Sequence, residues 1–184
     1  MRVITGSARG RKLEAVPGKN TRPTTDRMKE SIFNIIQFDL EGRTVLDLFC
    51  GTGQMGIEAL SRGAARAVFV DMSAEAVRVA RQNVEHTGLT ERAQIVGGEA
   101  MQFLATASQW FDVIFLDPPY RTPLLAGALC KITEFDILNE NGIIVCECER
   151  EERVPVLDAP YWPGKRYDYG NRSVVLFTRR EVEA

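Results

Sequence analysis

The apolar residues of this chain change their spacing many times, and each change marks the boundary of a short helix or strand. Two continuous apolar runs, Val68 to Val70 and Val113 to Leu116, are typical of strands buried on both faces. Gly63 and Gly88 each follow a segment with helical spacing and are expected to end those helices. The pattern predicts strands at 44–49, 67–71, 93–96, 111–116 and 142–148, helices at 54–62, 74–86, 100–106 and 124–132, and a closing antiparallel pair at 167–169 and 173–178.

The order of these elements predicts the fold class. Strands alternate with helices from residue 44 to about residue 150, which indicates a mostly parallel sheet with helices on both faces. Ligands of such sheets bind beyond the carboxyl ends of the strands, so the loops after the strands are the places to look for chemistry. The length of 184 residues suits one α/β domain, at residues 41–184, with a short segment in front of it.

That front segment, residues 1–40, is expected to form a basic arm or hairpin followed by one helix. Its first 29 residues carry eight basic side chains against two acidic ones, whereas the rest of the chain is acidic. A basic arm on an acidic body favours binding to a polyanion; the alternative is a solvated terminal segment. Glycines and prolines in the arm favour loop or hairpin. The helical face from Ser31 to Phe38 is expected to begin near a cap at Thr24 or Thr25.

The histidine and cysteine content disfavours metalloenzymes and hydrolases of the familiar kinds. The chain has one histidine, His86, and its four cysteines show no paired metal-ligand spacing, so no metal is expected and the cysteines are expected to be reduced thiols. No run of about 18 apolar residues predicts a transmembrane helix. The N-terminus lacks the apolar core of a signal peptide, so we expect a cytoplasmic protein with no membrane partner.

A glycine-rich loop after the first predicted strand indicates a cofactor site. Gly51, Gly53 and Gly56 match the spacing of the dinucleotide fingerprint, and Gly51 and Gly53 allow positive φ and close backbone approach to a ligand. Asp47 lies in the strand end, where nicotinamide enzymes usually keep apolar residues. Its carboxylate can accept from an ammonium group but would repel a pyrophosphate, so the loop favours S-adenosylmethionine over NAD.

Two further carboxylates follow the next strands. Asp71 ends the second strand, where a carboxylate can accept both hydroxyls of a ribose; this feature does not discriminate between the two cofactors. Glu99 follows the third strand and is expected within reach of an adenine. The alternative for Glu99 is a carboxylate in the first turn of a helix, where the helix dipole favours it.

The tetrapeptide Asp117-Pro118-Pro119-Tyr120 follows the fourth predicted strand and predicts amine methylation. The two prolines fix φ and remove two backbone donors, which leaves the Asp117 carboxylate and the Pro118 carbonyl as acceptors on a rigid loop. Two acceptors can hold both hydrogens of an exocyclic amine while Tyr120 offers a face for an extruded base. Asp117 can also take the released proton. The alternative is a strand terminator with no chemical role.

These residues leave several functions open. The same tetrapeptide serves guanine-N2 and adenine-N6 amines, so an RNA guanine methyltransferase and a DNA adenine methyltransferase both fit. A nucleic-acid-binding protein with a relic cofactor pocket is a non-catalytic alternative, and the basic arm disfavours a small-molecule methyltransferase. An adenine-N6 enzyme usually carries a target-recognition domain, for which only the arm is available here.

The chain closely resembles the bacterial 16S ribosomal RNA guanine-N2 methyltransferases of the RsmD type. The resemblance covers essentially the whole chain, and the run from Arg22 to Asn34 is specific when it occurs together with the loop from Asp117 to Tyr120. It is carried by Ile4 to Gly6, Gly10 to Leu13, Arg22-Pro23-Thr24-Thr25-Asp26-Arg27-Met28-Lys29-Glu30-Ser31-Ile32-Phe33-Asn34, Leu46 to Gly53, Gly56 to Ala64 and Asp117 to Tyr120. One departure is Gln54-Met55, where the family usually has small or apolar residues.

The resemblance implies a Rossmann-like class I methyltransferase with a seven-stranded, mostly parallel sheet, helices on both faces, an antiparallel last strand and an N-terminal basic hairpin. It implies S-adenosylmethionine as cofactor and a guanine of 16S ribosomal RNA near the decoding region, in a 30S subunit or assembly intermediate. A monomer is suggested. The implied contacts are Asp47, Gly51 and Gly53 for the methionine moiety, Arg22, Thr24 and Arg27 near its carboxylate, Asp71 for the ribose, Glu99 on the adenine side, Phe49, Met72 and Ala100 beside the cofactor, Asp117 to Tyr120 for the base, and Arg9, Arg11, Lys12 and Arg22 for RNA.

Overall fold

The computed structural model describes residues 1–16 and 26–180. Its helices are α1 Asp26–Ile35, α2 Gln54–Ser61, α3 Ala74–Thr87, α4 Ala100–Thr106 and α5 Leu124–Phe135, with one 3-10 turn at Thr90–Arg92. Its strands are β1 Thr44–Leu48, β2 Arg66–Asp71, β3 Ala93–Gly97, β4 Phe111–Leu116, β5 Leu138–Glu149, β6 Tyr161–Tyr169 and β7 Arg172–Arg179. No helix in these two ranges is long and apolar enough to cross a membrane.

The strands form one seven-stranded sheet in the order β3-β2-β1-β4-β5-β7-β6. The pairs from β3 to β5 are parallel, and β7 runs antiparallel to both of its neighbours. This confirms the prediction of a mostly parallel sheet with an antiparallel last strand. Because β1, β2, β3 and β4 point the same way, the loops that follow them meet at one edge of the sheet.

The sheet is buried on both faces because its central strands place successive apolar side chains on opposite sides. Val113 and Phe115 of β4 pack into one core with α1, α2 and α3, while Ile114 and Leu116 pack into the other with α4 and α5. Phe33 of α1 lies 5.5 Å from Phe115 between ring centroids. The predicted helical layers on both faces are therefore confirmed.

The N-terminal arm, residues 1–13, is a hairpin-like loop packed against α2. Arg2 pairs antiparallel with Lys12, and the Val3 N–H donates to the Arg11 carbonyl at 2.9 Å. Val3 is buried in the core that α1 shares. Gly6 has a φ of +88° and lies so close to the Ser61 backbone that a side chain there would collide with it. The arm therefore belongs to the same hydrophobic core as the sheet.

Three elements extend three or more residues beyond the bounds that the sequence pattern predicts. α5 continues to Phe135, β5 begins at Leu138, and β6 covers nine residues where only 167–169 were predicted. β6 is an edge strand with mostly exposed side chains, and its register shifts between Pro163 and Arg166, so it lacks the apolar alternation by which strands are recognised. The cap predicted at Thr24 or Thr25 lies outside the described residues.

Candidate active site

A cavity of about 570 Å³ lies at the carboxyl edge of the sheet. Its walls come from the loops after β1, β2, β3 and β4, together with the arm. The structure thus brings ten of the predicted site residues around one space, namely Phe49, Gly51, Asp71, Met72, Glu99, Ala100, Asp117, Pro118, Pro119 and Tyr120. The cavity is also lined by residues for which the sequence predicted no role, among them Met1, Val16 and Arg172.

The loop after β1 has an unusual backbone. Gly51 and Gly53 have φ values of +54° and +77°, and Phe49 also lies in the left-handed region at +68°. A left-handed aromatic residue costs conformational energy and persists only where the surroundings enforce it. The enforcing contact is Asp71, whose Oδ2 accepts the Gly51 N–H at 2.9 Å while its Oδ1 accepts the Ser73 N–H at 2.9 Å. Asp71 therefore shapes the loop as well as lining the cavity.

Asp47 lies behind this loop and is not part of the cavity wall. Its side chain is buried, and its Oδ2 accepts the Gly56 N–H in the first turn of α2 at 2.9 Å. Burial raises the pKa of Asp47 to about 7, the Gly56 N–H opposes that rise, and the nearby Asp71 charge adds to it. Direct contact between Asp47 and a cofactor ammonium therefore stays a prediction.

The raised pKa of Asp47 predicts a pH dependence of stability. The folded-state pKa of about 7 exceeds the ordinary value of 3.8, so the unfolded chain releases this proton first as pH rises. The contribution of Asp47 to the free energy of unfolding is then fully present below pH 4. It is lost as pH rises towards 7, by up to about 4 kcal/mol. Urea denaturation of Asp47→Asn between these pH values should show a flatter profile than wild type, because the amide cannot ionise. An unchanged slope would contradict the raised pKa.

Glu99 caps α4. This role is close to the alternative considered in the sequence analysis, a carboxylate in the first turn of a helix. Its Oε2 accepts the Gln102 N–H at 2.8 Å, while the side chain remains exposed at the cavity rim. Capping uses one carboxylate oxygen and does not prevent the other from meeting a ligand. Met72 also lines the cavity and is 77% exposed, an unusual position for a large apolar side chain.

The tetrapeptide after β4 is held rigidly beside the cavity. Pro118 is buried and Pro119 is exposed, and the Thr122 hydroxyl donates to the Pro119 carbonyl at 2.7 Å. Tyr120 is half-buried, and its pKa is raised by burial and by the charges of Asp117 and Glu147. The phenol therefore stays protonated at neutral pH and acts as a hydrogen-bond donor.

Sequence reasoning missed the roles of three polar residues here, namely Arg172, Glu147 and Gln54. Glu147 is buried on β5 and accepts from Tyr120 and Arg172. Gln54 forms part of the cavity wall, and its buried Oε1 has no hydrogen-bond partner among the described residues. Glu147 could have been noticed in the sequence, because it is a charged residue inside the apolar run of β5, between Cys146 and Cys148.

Other predicted residues lie away from the cavity or outside the described ranges. Arg22 and Thr24 are outside them, so their predicted roles are untested. Gly53 is buried beside Phe69, and Arg27 is exposed on α1. The predicted RNA contacts of the arm, Arg9, Arg11 and Lys12, are all exposed, and Arg11 donates to the His86 carbonyl at 2.7 Å. No group of three or more side chains able to hold a metal occurs in residues 1–16 and 26–180.

Comparison with known proteins identifies the family. The family model described as conserved hypothetical protein 95, which represents the RsmD methyltransferases, matches residues 1–178. This chain belongs to the RsmD family.

Named relatives agree with the RsmD assignment. The chain is 42% identical to "Putative rRNA methyltransferase YlbH" of Bacillus subtilis, across 98% of this chain and 100% of that protein. It is 35% identical to "Ribosomal RNA small subunit methyltransferase D" of Escherichia coli, across 100% of this chain and 91% of that protein. A solved structure, "Putative methyltransferase yhhF" from Escherichia coli, has a TM-score of 0.89 at 32% identity and covers 98% of each chain. This RsmD-family chain is therefore a methyltransferase.

Proposed function

We propose that this RsmD-family enzyme transfers a methyl group from S-adenosylmethionine to the exocyclic N2 amine of a guanine in 16S ribosomal RNA, at position 966. One observation carries the proposal: the Asp117-Pro118-Pro119-Tyr120 loop and the glycine loop open into the same cavity. The relatives' names, which refer to ribosomal RNA and to its small subunit, support the substrate.

The described residues fit S-adenosylmethionine. The Oε1 atom of Gln54, a buried acceptor without a partner among the described residues, lies in the cavity wall at the start of α2, where it can accept from the cofactor ammonium group. We assign the remaining contacts from the resemblance to the family. Phe49, Gly51, Gly53 and Asp47 serve the methionine end, Arg22, Thr24 and Arg27 its carboxylate, Asp71 the ribose, and Met72, Glu99 and Ala100 the adenine.

When bound, S-adenosylmethionine supplies a methyl group activated by a positive sulfonium. The protein then has to hold the attacking amine, since positioning provides much of the rate. The Asp117 carboxylate and the Pro118 carbonyl accept the two amine hydrogens, which favours the pyramidal form of the nitrogen. Tyr120 stacks on the extruded base. Asp117 accepts the released proton, directly or through one water.

The substrate assignment has a direct test. Purified enzyme is offered partly assembled 30S subunits, naked 16S RNA and duplex DNA, each with a labelled methyl donor. We expect label in 30S particles as N2-methylguanine, mapped by mass spectrometry to one nucleotide. Label found only as methyladenine in DNA would replace the proposal with an adenine-N6 activity. Absence of cofactor binding in calorimetry would leave a binding protein with a relic pocket.

We also propose that residues 1–40 serve RNA binding and residues 41–184 catalysis, in a cytoplasmic monomer that acts on a 30S subunit or an assembly intermediate.

Replacing Arg9, Arg11 and Lys12 by glutamate is expected to weaken RNA binding and to lower the slope of log K against log salt by about one per lost phosphate contact. Filter binding at several salt concentrations measures it. Lys12→Glu has a matched control in Arg66→Glu, an exposed arginine at the start of β2. Equal effects of the two variants would show that the arm has no special role.

A further inference from the structure

A polar cluster links the candidate base-binding tyrosine to two strands that the proposed mechanism does not use. The Tyr120 hydroxyl donates to Oε1 of Glu147 at 2.7 Å, and Nη1 of Arg172 donates to the same oxygen at 2.6 Å. The guanidinium carbon of Arg172 lies 5.5 Å from the centroid of the Tyr120 ring. Both ends of the tyrosine side chain are therefore held, one by the proline loop and the other by Glu147.

The burial of Glu147 indicates that this arrangement is specific. Its side chain is 5% exposed, and a carboxylate so far from water is costly unless charged and polar partners compensate it. Arg172 and Tyr120 both supply such partners, and Tyr120 remains a donor because its pKa is raised. Tyr120 and Arg172 line the cavity, whereas Glu147 does not. Glu147 can therefore affect a bound base only through its neighbours.

We infer that Glu147 and Arg172 are positioning residues that fix the ring of Tyr120 for stacking on the target base. This inference rests on the proposed function of the cavity. A ring held at its hydroxyl and packed against a guanidinium loses little freedom when a base arrives, so less of the binding free energy goes into ordering it. Arg172 lies against the ring as a cation–π partner, and a base then stacks on the ring surface that faces the cavity.

Tyr120→Phe tests the inference most cleanly, because it keeps the ring and removes only the hydroxyl. We expect a fall in kcat of about tenfold, the effect of losing one hydrogen bond to a charged group. The KM for the RNA substrate should change little, because phosphate contacts elsewhere dominate RNA affinity. Glu147→Ala should lower kcat at least as much, and Glu147→Gln should restore part of it, because an amide oxygen still accepts from the phenol.

A double-mutant cycle separates this role from a merely structural one. If Glu147 acts through the tyrosine hydroxyl, the variant with both Tyr120→Phe and Glu147→Gln should have a kcat close to that of the slower single variant. Glu149→Gln is the matched control, since Glu149 lies two residues along the same strand and pairs with the exposed Arg121 at 3.0 Å. Its kcat should equal that of wild type.

The inference is overturned if Tyr120→Phe and Glu147→Gln both keep the wild-type kcat, or if their effects multiply in the double variant. An NMR measurement tests the contact without any activity. The Tyr120 hydroxyl proton should give a slowly exchanging signal in the wild type that is lost in Glu147→Ala. Failure of the proposed substrate would leave that signal intact, whereas failure of the inference would remove it from the wild type.

Discussion

Replacing Asp117 by alanine is expected to remove nearly all methyl transfer while cofactor binding is retained. Asp117 lies in the cavity immediately after β4, where its carboxylate can grip an amine hydrogen and accept the departing proton. Loss of both effects should lower kcat by about a thousandfold. The described residues proposed to bind the cofactor lie outside this loop, so the affinity for S-adenosylhomocysteine should stay within about threefold of wild type. Single-turnover assays give the rate, and calorimetry gives the affinity.

An aspartate within β4 itself provides the control. Asp112 accepts the Thr44 N–H at 2.7 Å and pairs with Arg43 at 3.2 Å, away from the cavity. Asp112→Ala should lower stability and leave kcat unchanged, which separates damage to the fold from loss of chemistry. Full activity of Asp117→Ala would remove the proposed mechanism, and loss of its cofactor binding would make Asp117 a structural residue of the cavity.

The features that sequence predicts well are those encoded by consecutive residues. The glycine loop after β1 and the proline loop after β4 each depend on local backbone preferences, so their place at the strand ends could be read from the chain alone. The continuous apolar runs of the buried strands predicted the parallel sheet for the same reason. Ten residues proposed from the sequence, six of them from these two loops, do surround one cavity.

Features that depend on distant contacts could not be predicted in this way. The hydrogen bond from the Gly56 N–H to the Asp47 carboxylate could not be predicted, because only the packing of α2 on β1 brings the two groups together. The contact between Glu147 and Arg172 requires the antiparallel pairing of β5 with β7. An exposed edge strand such as β6 gives too weak an apolar signal to be bounded from sequence.

The arm is the clearest case of such a distant contact, and it gives the largest expected effect on stability. Glu58 of α2 is fully buried and accepts the Ile4 N–H at 2.8 Å, the Thr5 N–H at 3.0 Å and Nε of Arg62 at 2.8 Å. Lys29 of α1 lies 3.6 Å away, also fully buried. One carboxylate therefore joins the arm to two helices, and no sequence motif predicts this set of contacts.

Glu58→Ala is expected to lower the free energy of unfolding by about 3–5 kcal/mol, because it removes the carboxylate that compensates the buried Lys29 charge and leaves the Ile4 and Thr5 N–H groups without their acceptor. Burial already lowers the pKa of Lys29, so its ammonium depends on Glu58 for compensation. Urea denaturation measures the loss. Hydrogen exchange at the amides of Ile4 and Thr5 should accelerate in the variant, since both lose their acceptor.

Glu75→Ala is the matched control, because Glu75 forms an exposed pair with Arg78 at 3.8 Å on α3 and should change stability by less than about 1 kcal/mol. Met1, at the start of the arm, and Val16, just beyond its end, line the cavity. Loosening the arm should therefore also weaken binding of S-adenosylhomocysteine, although Glu58 itself is not part of the cavity wall. A Glu58→Ala variant with wild-type stability and cofactor affinity would show that the arm is held by its apolar residues alone.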